Sequence, residues 1–127
     1  MSYRALSDEQ VARICYMLQY EIQLAMGDPM PHWDDLPDWM IKGWTDSVRR
    51  FELGHTPEKM HDSWCDFMAE NGWRYGPERN GEERTHPMMK PLHQLDKVLI
   101  AKSHLVQQTI VLLRVTMPQT IMPDPIR

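Results

Sequence analysis

Between Gly72 and Arg79 the chain reads Gly72-Trp73-Arg74-Tyr75-Gly76-Pro77-Glu78-Arg79, which gathers flat rings, guanidinium groups and a turn-forming Gly-Pro pair into one irregular stretch. That mixture can bind a planar anion: a ring stacks on a base, an arginine pairs with phosphate oxygens, and a glycine lets the backbone come close. His86 and Lys90, brought back by the same connection, add further donors. A second reading stands beside this one, in which Trp73 and Tyr75 plug the core beneath a structured loop.

Other chemistry is sparse. The chain carries no glycine-rich phosphate loop, nucleophile elbow or His-Glu-x-x-His helix, so no catalytic residue is assigned. His61 and Cys65 stand four apart and share a helix face, but no neighbouring ligand pair completes a metal site, and none is expected. Cys15 and Cys65 fall on separate helical patterns, without the short spacing of a zinc ribbon or a disulfide framework, and read as reduced thiols. Asp34, Asp35 and Asp38 gather where a helix begins, which favours a solvated capping cluster. The mixed-sign run Glu82-Glu83-Arg84 is expected to face water, and Trp44 and Trp64, in phase with helical stripes, to pack inward.

The elements that must position these groups follow from periodicity. With 127 residues the chain is about one domain long, and 42% apolar with 25% charged residues is ordinary for a globular protein. A net charge of −4 gives no bulk attraction to duplex nucleic acid or to anionic lipid. No apolar leader opens the sequence and no unbroken apolar run reaches the roughly 18 residues of a span, so a cytoplasmic protein without membrane contact is expected.

Ser7 with Gln10 predicts an N-cap, and Val11, Ile14, Cys15, Leu18, Ile22, Ala25 and Met26 recur at helical spacing until Gly27. A loop with His32, Trp33 and the acidic group follows, and then a second helix, with Pro37 in its first turn and Met40, Trp44, Val48 and Phe51 on one face, up to Gly54. Thr56-Pro57-Glu58 starts a third, with Met60, Trp64, Phe67 and Met68 as its stripe and Asn71-Gly72 as its end. Trp73 to Pro91 has no sustained period, and a connection that long in a compact domain points to function. Leu95, Val98, Leu99, Leu105, Val106, Ile110, Leu112 and Leu113 define a fourth helix. Residues 116–127 read as a flexible or partner-docked tail. The fold class expected is mainly α, with about four helices around one core and a long irregular connection, holding short extended pieces, between the third and fourth.

His61-x-x-Trp64, then Gly72-Trp73-x-Tyr75-Gly76-Pro77, a charged turn, His86-Pro87, Lys90-Pro91 and Leu95 resemble the RyR repeat, the module named after the ryanodine receptor. The resemblance spans Thr56 to Leu113. The helices upstream of it, from Ala12 to Trp39, are similar to those that precede the repeat in small bacterial and phage members. It implies a single domain over 1–115, with leading helices at 7–55 and the repeat core at 56–113. Two positions depart from the pattern: Leu92 stands where tyrosine is common, and Ser103 lies near an expected acidic residue of the last helix.

The resemblance further implies no catalytic activity and no cofactor. It points to a binding module for a nucleotide or nucleotide-derived signal, acting as a sensor or as a phage sponge for a host immune nucleotide. Trp73 would stack on the base, Arg79 and Lys90 would face phosphate, and Tyr75 and His86 would supply hydrogen bonds, with Gly76, His61 and Trp33 joining the ligand-binding set. A protein-interaction or structural module is the alternative, since surplus Met and aromatic surface suits docking equally well. An enzyme using His86 or His61 as general base ranks third, for want of an orienting partner. A homo-oligomer, with a dimer favoured, is expected of a chain too short to hide every Trp and Met.

Overall fold

The computed structural model describes residues 3, 4 and 6–116 together with 122 and 123. It is mainly helical, with four α-helices: α1 (Asp8–Ala25), α2 (Asp38–Glu52), α3 (Pro57–Glu70) and α4 (Lys97–Thr116). Four two-residue strands accompany them: β1 (Tyr3–Arg4), β2 (Arg74–Tyr75), β3 (Thr85–His86) and β4 (Met122–Pro123). Single 3-10 turns at Trp33–Asp35 and Leu92–Gln94 complete the order. The mainly α class, the four helices and the extended pieces in the long connection are as expected, among the described residues. The tail expected from 116 onwards lies outside the described residues, apart from the end of α4 and the β4 pair, which runs antiparallel to β1.

The chain divides into two compact units, one formed by Met1–Arg49 with Leu105–Arg127 and the other by Arg50–His104. Their limits fall inside α2 and α4.

In the first unit Ser7 and Gln10 form the anticipated reciprocal cap: Gln10 N–H donates to Ser7 Oγ at 3.1 Å, and Ser7 N–H donates to Gln10 Oε1 at 2.8 Å. The face that α1 buries is Val11, Ala12, Cys15, Tyr16 and Gln19: Val11 and Cys15 are as expected, but the face is rotated away from the expected Leu18 and Met26, which are exposed. Tyr16 explains the rotation. Its ring stands 5.6 Å from Trp33 and 5.4 Å, edge-on, from Trp44, while its hydroxyl donates to the carbonyl of Pro31. A single side chain that fills a gap between two indoles and also ends on a polar acceptor outcompetes an unbranched apolar stripe. Arg114 of α4 donates to Leu6 O at 2.6 Å and to Asp8 Oδ1 at 2.8 Å, and Asp8 also faces Arg49 at 3.7 Å. The Asp8 carboxylate therefore serves the positive end of α1 and two guanidiniums together.

In the second unit Thr56 caps α3 through Lys59 N–H at 3.2 Å, with Pro57 in the first turn as expected. Met68, His61, Gly76, Leu92 and Leu95 are its buried residues. α4 starts two residues after Leu95, because Asp96 takes the cap by accepting Leu99 N–H at 3.0 Å.

Lys97–Val115 is long and apolar enough to cross a membrane by length and composition alone. Reading for an unbroken apolar run passes over this helix, since Lys102, Ser103 and His104 interrupt it, although its leucines, isoleucines and valines dominate the average. Removing the α1 cap gives a measurable test of the first unit. Ser7→Ala should lower the unfolding free energy by about 1 kcal/mol in urea titration, since it strands the Gln10 amide.

Candidate functional site

The connection after α3 begins with a defined stop. Gly72 adopts φ +84°, Gly72 N–H donates to Ala69 O, and Trp73 N–H donates to Met68 O, both at 3.0 Å. This paired closure of a helix end needs a left-handed residue, which glycine supplies without a Cβ penalty. It also fixes where Trp73 leaves the helix. Arg84 reaches across the same glycine to donate to Asn71 O at 2.9 Å, so a Cβ on residue 72 would sit 2.8 Å from the guanidinium.

β2 and β3 then pair in parallel, Arg74 with Thr85 and Tyr75 with His86. Parallel neighbours ordinarily need a long crossover, yet here the chain returns within nine residues, 76–84. Two devices make that possible. Asn80 and Thr85 exchange backbone hydrogen bonds at 3.0 Å in each direction, with Asn80 Oδ1 accepting from Glu82 and Glu83 N–H, and Arg84 takes a left-handed φ of +55°. Gly76 is buried against Thr85, where a Cβ would lie 2.5 Å from the threonine Cβ. The glycine of the Tyr-Gly-Pro run is thus a packing requirement.

These contacts bring together most of the expected site. The Lys90 ammonium lies 5.6 Å over the ring of Tyr75, which is 51% exposed. His86 lies edge-on to Trp64 at 5.0 Å and tilted to Trp73 at 6.4 Å. Its Nδ1 accepts Met88 N–H at 3.1 Å, which assigns the ring proton of the neutral imidazole to Nε2. Arg79 is half-buried in the turn between Gly76 and the Asn80–Thr85 bridge.

Two residues of the expected set are placed differently. His61 is buried and donates from Nε2 to Lys90 O at 2.7 Å, so it holds the backbone beneath Lys90 instead of facing outward. Trp33 belongs to the first unit, where it is buried against Tyr16. Trp64 was expected in the core. It is half-buried and stacks on His61 at 5.7 Å and 28°, linking that histidine to His86. The i, i+3 spacing of His61 and Trp64 carried this signal, and only a partner far away in sequence gives it meaning.

No group of three or more metal-ligating side chains forms among the described residues. Cys65 Sγ is 3.6 Å from His61 Nε2, and burial, together with the nearby carboxylates of Asp62 and Asp66, pushes its thiol up to about 11. Cys15 is likewise raised by burial to about 11, against a smaller lowering by a backbone hydrogen bond. Neither thiol is a nucleophile at neutral pH. Of the departures noted, Leu92 is buried and Ser103 Oγ donates to Leu99 O of its own helix at 3.5 Å.

Two tests follow from this geometry. Gly76→Ala should destabilise the protein by about 1–3 kcal/mol through overpacking against Thr85, whereas Gly81→Ala, in open space, should stay within about 0.5 kcal/mol. Both thiols hold protons in the fold that the unfolded chain releases from its ordinary value of 9.0 upward. Their stabilisation is complete below about pH 9 and is lost as pH rises towards 11, and a Cys15→Ala/Cys65→Ala double variant should show a shallower fall in urea midpoint across that window.

The family model described as "RyR domain" matches residues 53–116, half of the chain and all of the stretch that carries the site. No curated protein matches the chain.

Proposed function

We propose that this chain, which belongs to the RyR domain family, is a non-catalytic binding module for a nucleotide-like small molecule. The observation that carries the reading is the Lys90 ammonium poised over the exposed Tyr75 ring, beside the His86–Trp73–Trp64 cluster. A base stacks on such rings with little regard to its identity, and a phosphate competes well for the ammonium, because a charge-assisted hydrogen bond exceeds an exposed cation–π contact. Arg79 supplies a second cation to the phosphate, and His86 a hydrogen bond to the base. His61 acts one step back, by fixing the Lys90 backbone.

The geometry favours binding over turnover. His86 accepts the Met88 amide at Nδ1, which leaves its Nε2 a donor rather than a base, and His61 is buried beneath Lys90.

The test is the mass spectrum of small molecules released by denaturing the purified protein, followed by calorimetric titration with what is recovered. Trp73→Ala should weaken binding roughly 5- to 150-fold, with thermal unfolding followed in parallel to separate stacking from folding. Arg79→Gln and Lys90→Gln should each weaken a phosphorylated ligand, and flatten the salt dependence of its affinity, while stability stays within about 0.5 kcal/mol. A protein that releases nothing and whose melting is unmoved by mono-, di- and cyclic nucleotides overturns the reading.

A further inference from the structure

α4 is apolar on two opposite faces, and only one of them is covered. Gln107 and Ile110 are buried on one side. On the other, Val98, Leu105, Val111, Leu112 and Val115 are 53, 41, 37, 61 and 72% exposed, and Ala101 and Gln108 between them are exposed as well. A helix apolar all round is normally covered all round.

The spacing of the open face is specific. Val98, Ala101, Leu105, Gln108, Leu112 and Val115 step by three, four, three, four and three, the alternation that lets two helices interlock side chain into gap. We propose that this face pairs with the same face of a second copy, the two α4 helices running antiparallel about a two-fold axis.

Charge and size select that occupant and that direction. In a parallel pair Lys97 would flank Lys102 of the other copy, since positions five apart meet across such a seam, and like charges there repel. Run antiparallel, Lys97 lies by the C-terminal end of the opposite helix, where a cation is favoured, and Lys102 meets the neutral Thr109. The same register sets Ala101 against Leu112 and Val98 against Val115, so the smallest residue of the stripe meets one of the largest. Gln108 faces Leu105 close to the axis. Twenty residues of helix present a face about 30 Å long, and two such faces bury on the order of 1,000 Å², the lower end for a specific interface. A face of that size suits a reversible dimer. The pairing involves none of the residues assigned to ligand, so it stands or falls independently of the proposed function.

Sedimentation equilibrium of the full chain tests it. The expected result is a reversible dimer over micromolar concentrations, converted to monomer by Ala101→Glu and, separately, by Leu112→Lys. Both positions are exposed, so circular dichroism should show each variant folded. Combining Ala101→Glu with Leu112→Lys in one chain places glutamate against lysine twice in the antiparallel register and should restore the dimer. A parallel seam would oppose like charges and leave the double variant monomeric, which overturns the register. An unmodified chain that is monomeric throughout overturns the pairing, and flotation of that monomer with phosphatidylcholine–phosphatidylglycerol vesicles would assign the face to a lipid surface instead.

Discussion

The guanidinium of Arg84, closed over Gly72 onto the last carbonyls of α3, is the contact from which the whole connection hangs. A helix end leaves carbonyls without partners, and a positive donor there satisfies both the hydrogen bond and the dipole. Once residue 84 is anchored, its own carbonyl accepts Arg74 N–H at 2.9 Å, and the parallel register of Tyr75 with His86 is set. The left-handed backbone at Arg84 is the cost of this arrangement, tolerated because the side chain is held at the far end. His61 then ties down the carbonyl of Lys90 from below, so both ends of the connection are fastened to α3. A rigid helix carrying an irregular loop by its two ends is an economical way to hold rings and cations in fixed relation.

Local signals explain what could be read without the fold. Ser7 with Gln10, Thr56 with Pro57, and the glycines at 27, 54 and 72 act through their immediate neighbours, and each does what its type and position require. The face buried by α1 was not legible in this way, because Tyr16 is drawn inward by Trp33, Trp44 and Pro31, none of which lies within its own helix. The cap at Asp96 escaped notice because Leu95 extended the apolar pattern two residues ahead of the true start at Lys97.

The site divides along the same line. Trp73, Tyr75, Gly76, His86 and Lys90 could be grouped in advance because one segment carries them, and the fold keeps them together. The role of Gly76 could not be foreseen, since the close approach of Thr85 exists only after the chain has doubled back. His61 and Trp33 were chosen by residue type, and type alone does not say whether a ring looks out or holds the scaffold. The tautomers of both histidines follow from backbone partners that the fold supplies.

The two units differ in how their sequence is laid out, and that difference bears on synthesis. Arg50–His104 is one uninterrupted stretch, so every contact within it can form as soon as it has left the ribosome. The other unit joins the start of the chain to its end: Asp8 meets Arg114, 106 residues later, and Tyr3–Arg4 pairs with Met122–Pro123. Closing so long a loop is entropically costly, and α1 must wait with Cys15, which meets Val106 O at 3.8 Å, uncovered until α4 is made. The order of emergence therefore leaves the connection at 73–91 finished first and α1 exposed longest, which makes α1 the segment a ribosome-bound chaperone would shield.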